Sequence, residues 1–245
     1  MLAGRRADPW GMDANQFAFA HGARSTRTAL ERWQRDPLPV LRSWLLGAAA
    51  IGLLLLASVI VIASMVNPDI GFHYVPGLPD GARLGEIAHI VGRNSLVLAL
   101  HAFACIAGFI AGSSLVLSAE KRRGFSRWIH ERARPVAFAW VILVTAFSLL
   151  AQAAALGIYG STLAYEVGVS PGMLVLTVLP HALLELTAVF LPLAAWTIAS
   201  RRGEWDQLLA ATVVTVTIAI PMLIVSAVWE VQVWPYLVRA ASPLV

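Results

Sequence analysis

The chain has 245 residues, of which 58% are hydrophobic and only 13% charged, and its formal net charge is +4. Five apolar runs each reach the roughly 20 residues that span hydrocarbon, so the composition describes a polytopic membrane protein rather than a soluble enzyme domain. Its lone cysteine, Cys105, excludes an intramolecular disulfide, a redox pair and a cysteine metal cluster within one chain, and reads as a small apolar core residue.

Residues 1–42 form a basic N-terminal segment. Within it, Thr28-Ala29-Leu30-Glu31 has capping-box spacing, and Ala29, Leu30 and Trp33 make an apolar stripe. Two readings stay open there: a short amphipathic helix against the inner leaflet, or a flexible basic tail. The first span is predicted over 43–66; it is too long for a signal-peptide core and is expected to remain as a signal anchor. A Pro- and Gly-rich loop over 67–93 follows, the longest of the loops, placed to cover the outer mouth. Further spans are predicted over 94–118, 135–158, 173–200 and 208–236. The expected fold class is all-α, a transmembrane bundle of about five spans occupying residues 43–245. Pro180, Pro192 and Pro221 each remove a backbone donor inside a span and are expected to kink or break the helix.

Basic residues favour the cytoplasm in short loops. The N-terminal segment holds Arg5, Arg6, Arg24, Arg27, Arg32, Arg35 and Arg42; the second loop holds Lys121, Arg122, Arg123, Arg127, Arg132 and Arg134; the fourth holds Arg201 and Arg202. Only Arg83, Arg93 and Arg239 fall on the opposite side, so the N-terminus is expected in the cytoplasm and the C-terminus outside. A basic rim beside anionic lipid accounts for the positive charge without nucleic acid as a partner.

Ionisable side chains inside lipid-spanning segments are functional suspects, because a charge at a lipid-facing helix centre costs about 2.5–3.5 kcal/mol. His101, Gln152, His181 and Glu230 lie roughly 9–12 Å below the outer ends of four different spans, with Glu185 one turn deeper than His181. These five are expected to share a polar layer. In the second span His101 shares a face with Ala104, Gly108 and Gly112, small residues that let a neighbouring backbone approach, so this face is expected to look inward. The cluster admits three uses. It can fix helix register. It can line a conduction or proton path extended by Ser148 and Thr145. Or His101, His181, Glu185 and Glu230 can serve as ligands and general base of a metal-dependent hydrolase. No phosphate loop, dinucleotide fingerprint, nucleophile elbow or HExxH occurs in the sequence.

Leu179-Pro180-His181-Ala182-Leu183-Leu184-Glu185-Leu186-Thr187-Ala188, followed by Ala227-Val228-Trp229-Glu230 and Pro235, resembles the stage II sporulation protein M family. The match is strongest from Leu174 to Leu237, and Asn94 with the Gly-rich second span resembles the family's middle region more loosely. Ala182 stands where many members have Gly, and Leu191-Pro192-Leu193 replaces a small-residue stretch. The resemblance implies a non-enzymatic, multi-pass protein of the cell membrane, similar to a scaffold that localises peptidoglycan-degrading enzymes, with no cofactor. Relatives also occur in organisms that do not sporulate. The implied partners are the lipid bilayer, cell-wall or envelope proteins and a second copy of the chain. The alternatives are a membrane-spanning exporter subunit with a separate ATPase and the intramembrane metal hydrolase. Reporter fusions test the topology: a cytoplasmic signal is expected at Gly124 and an outside signal at Ser242, and a cytoplasmic signal at Ser242 would sink the five-span arrangement.

Overall fold

The computed structural model describes residues 18–70, 83–110, 125–242 and 244. Among them are seven α-helices and no strand: α1 (Ala18–Arg35), α2 (Leu38–Met65), α3 (Arg83–Phe109), α4 (Phe125–Glu166), α5 (Pro171–Arg202), α6 (Leu208–Gln232) and α7 (Trp234–Ala241). Five segments are long and apolar enough to cross a bilayer: α2, α3, Val141–Glu166 of α4, α5, and Trp205–Gln232, which contains α6. The chain is a multi-pass helical membrane protein, in which each span satisfies its own backbone hydrogen bonds.

Helix α5 is the centre of the bundle. Every residue from Leu186 to Trp196 is buried, so this stretch is apolar and enclosed all round, packed by α2, α3 and α6. Its ends are chemically marked. The Ser170 hydroxyl accepts from the Met173 amide at 3.2 Å, Pro171 opens the first turn, and Gly203 closes the last with φ 72°. Helix α4 stands at the side, packed chiefly on α2, with Leu143, Phe147 and Leu150 exposed for lipid or another protein.

The N-terminal segment contains a helix rather than a tail over the described residues. α1 packs on α6, and Trp33 meets Trp44 edge to face at a centroid distance of 5.1 Å. Thr28 to Glu31 lies within this helix rather than at its start, and Glu31 instead pairs with Arg27 at 2.8 Å. Asp36 and Pro37 separate α1 from α2, since proline disfavours helical backbone at the preceding residue.

Several predicted boundaries move. α3 begins at Arg83, not Asn94, which places Arg83 and Arg93 on a helix instead of in the outer loop. The shift has a local cause: Leu84, Ile87, Ile90 and Val91 already repeat with helical spacing once the Gly-Leu-Pro-Asp-Gly run ends. Residues 71–82 and 111–124, which include Gly112 and Lys121, Arg122 and Arg123 of the basic second loop, lie outside the described residues, while Arg127, Arg132 and Arg134 fall in the first turns of α4.

α4 continues past the predicted end at Ile158 to Glu166 because its glycines serve packing rather than termination. A Cβ at Gly157 would lie 2.5 Å from Cγ2 of Ile62, a distance that admits only glycine while α2 and α4 stay this close. Beyond that contact the Asp69 amide donates to the Thr162 hydroxyl at 3.1 Å, and the Ser161 hydroxyl donates to the Val66 carbonyl at 2.8 Å.

The expected proline breaks are absent. α5 runs unbroken through Pro180 and Pro192, and α6 through Pro221. In hydrocarbon a break would strip further backbone groups of partners that no water could replace. The chain breaks instead at Val233, because Pro235 lacks the N–H that would continue α6 and sits at the first turn of α7. The predicted last span of 208–236 is therefore α6 plus the start of a second, short helix.

Replacing Gly157 with alanine should push α4 from α2 and lower stability by about 1–3 kcal/mol, the usual range for overpacking. Thermal unfolding of the purified chain in detergent measures this, and an unchanged midpoint would refute the close approach.

Candidate functional site: a charged cavity beside the central helix

A cavity of about 420 Å³ opens along the first half of α5, between α4 on one side and the ends of α6 and α7 on the other, with α2 behind. Its walls are mainly apolar, including Leu56, Val59, Leu156, Leu163 and Val178. Into this wall project His181, Glu185, Glu230 and Arg93.

The helical register of α5 sets the first two. His181 and Glu185 are four residues apart and share a face with Val178 and Ala182. Across from them, α6 presents Ser226 and Glu230, again one turn apart. The Ser226 hydroxyl, wholly buried, donates to the His181 carbonyl at 3.0 Å and lies 3.4 Å from the Glu185 carboxyl. A hydroxyl has one proton, so the shorter contact binds α6 to the backbone of α5 while the oxygen stays beside the acid. Arg93 interacts electrostatically with both Glu185 and Glu230, which interact with each other.

The helix break at Val233 completes the wall. It turns Trp234 over the start of α5, where the indole N–H donates to the Thr177 hydroxyl at 3.2 Å and the ring meets His181 edge to face at 6.1 Å. His181 is only 5% exposed, yet its Nδ1 has no hydrogen-bond partner.

The five residues of the expected polar layer separate. His181, Glu185 and Glu230 come together. His101 faces α5 one turn further along: its Nδ1–H donates to the Val189 carbonyl at 3.1 Å, its ring meets Phe190 at 5.3 Å, and Nε2 is left unpartnered. Gln152 lies on the face of α4 that lines the cavity but one turn beyond it, and donates to the Ser148 hydroxyl of its own helix at 3.1 Å. Thus the polar line through Gln152 and Ser148 closes on itself. Among the described residues no three His, Cys, Asp or Glu side chains are grouped to hold a metal ion, and His101 is directed away from the acids.

The inward face of α3 holds at His101, Ala104 and Gly108, all buried. Gly108 lies against Trp196: a Cβ there would be 2.5 Å from the indole Nε1, so the rigid ring fits only over glycine. The Cys105 thiol, also on this face, donates to the Pro192 carbonyl at 3.1 Å.

Arg93 and Trp234 join His181, Glu185 and Glu230 in the wall, although neither is among the candidate site residues of the sequence. With a span predicted from Asn94, Arg93 reads as a loop charge. The helical spacing from Leu84 onward carries the signal that would have placed it inside α3.

The fold and the cavity define a multi-pass helical membrane protein with a small, mostly apolar pocket that carries opposed charges. No family model matches the chain, nor does any curated protein or solved structure.

Replacing Ser226 with alanine should leave the bundle assembled but cost about 1 kcal/mol through the lost α6–α5 hydrogen bond. A lower unfolding midpoint with unchanged helicity by circular dichroism is the expected result.

Proposed function

We propose that the protein is a non-enzymatic scaffold of the bacterial cell envelope, resident in the cell membrane, that holds cell-wall or envelope proteins by lateral helix contacts. The observation that carries this reading is the division of the bundle. α2, α3 and α6 surround α5, whereas α4 packs chiefly on α2 at the flank and leaves Leu143, Phe147 and Leu150 exposed. The span of α4 is the least buried of the five, so most of its surface is presented outward, and an apolar surface in lipid recruits partners by close packing and small polar contacts.

The polar residues of the core support the same reading. Ser226 and His101 each bind a backbone carbonyl of α5 from a different helix, which fixes register and keeps the presenting surface rigid. The resemblance of His181 to Glu185 and of Ala227 to Glu230 to the stage II sporulation protein M family points to the same class, and an envelope scaffold does not require a spore-forming host.

Co-purification from native membranes tests the proposal. Cell-wall proteins should be recovered with the intact chain, and recovery should fall several-fold when Leu143, Phe147 and Leu150 are all replaced by alanine, while the unfolding free energy stays within about 0.5 kcal/mol of the parent. Recovery of an ATPase stimulated by the chain would replace the scaffold with an exporter subunit. A metal-dependent hydrolysis by the purified protein, abolished by Glu185→Gln and Glu230→Gln without loss of folding, would replace it with an enzyme.

A further inference from the structure

We propose that the cavity beside α5 binds a single-chain amphiphile bearing a primary ammonium group, a site independent of the scaffold surface on α4. Three features of the cavity define this ligand: its charge balance, its acceptors and its shape.

Glu185 and Glu230 bring two carboxyls to the wall, and Arg93 is the only arginine or lysine among the lining residues. With both acids ionised the site holds one more negative charge than positive. A carboxyl inside an apolar bundle takes up a proton unless a cation compensates it, so one further positive charge is what lets both acids ionise here.

The acceptors specify the kind of cation. A primary ammonium has three N–H donors and no acceptor, and the wall offers acceptors in the Glu185 and Glu230 carboxyls. A quaternary ammonium carries the charge but has no donor to give. A metal ion needs ligands drawn together more tightly than these side chains are.

The shape specifies the remainder. The wall follows α5 from Leu174 to Leu186, a rise of about 18 Å, and apart from the charged group it is lined by aliphatic and aromatic side chains. A volume of about 420 Å³ falls within the range of small-molecule pockets and is too small to enclose a transmembrane helix. An alkyl chain fits the apolar wall beside Leu56, Val59 and Leu163, with its amine at Glu185 and Glu230.

Photolabelling of the full chain in phosphatidylcholine nanodiscs tests this directly. The probes are dodecyl chains with a mid-chain diazirine that end in a primary amine, a trimethylammonium, an alcohol or a carboxylate, with labelled residues located by mass spectrometry. The amine should label the cavity wall of α4 and α5 at least about tenfold more than the alcohol, a difference of about 1.4 kcal/mol. Glu185→Gln with Glu230→Gln should remove that preference while alcohol labelling stays unchanged. Arg93→Gln, which removes the competing positive charge, should strengthen amine labelling. Equal labelling by amine and alcohol, stronger labelling by the carboxylate, or a preference that survives loss of both acids would overturn the proposal. Should the double variant fail to fold, the opposite response of Arg93→Gln still decides it: weaker amine labelling there would count against an acidic cation site.

Discussion

The enclosure of α5 by other helices is the constraint on which the rest of the structure depends. Where a helix is enclosed in hydrocarbon it has no water for its polar groups, which bond within the helix or to a neighbouring one. The His181 carbonyl is met by Ser226 of α6, and the Val189 and Pro192 carbonyls are met by His101 and Cys105 of α3. These contacts cross between helices at fixed heights and tie the bundle in one register. The same lack of solvent keeps α5 and α6 continuous through internal prolines, and lets the chain break only at Val233, where α6 ends.

The enclosure is incomplete on one side, and there the chemistry collects. Toward its N-terminal end α5 is flanked by α4 and by the α6–α7 corner, which stand apart and leave the cavity between them. The glycines of α4 draw it against α2 instead of α5, and the break before Pro235 carries Trp234 across the start of α5. Both features come from simple residue properties, a missing side chain and a missing N–H. Together they leave two carboxyls, an imidazole and a guanidinium facing an apolar space.

Much of the architecture was legible in the residues themselves. Apolar runs of membrane length account for the five spans, because hydrocarbon thickness imposes that length regardless of tertiary contacts. The inward face of α3 was readable from the spacing of His101, Ala104 and Gly108, and the juxtaposition of His181 with Glu185 from their separation by one helical turn. The ends of the spans were less legible. Glycine reads as a terminator in isolation, and only contact with Ile62 reveals Gly157 as a packing position.

Sequence alone determined the class of protein, the number of spans and the presence of ionisable groups within them, since each follows from local composition and helical geometry. Tertiary structure decided which of those groups meet. Equal depth placed His101 and Gln152 with the acids, but depth is one coordinate, and helix rotation and tilt are the others. Packing turns His101 toward Val189, leaves Gln152 bonded to Ser148, and brings Arg93 and Trp234 to Glu185, Glu230 and His181. That rotation depends on which small residues fit against which neighbours, a relation between helices that no single stretch of sequence contains.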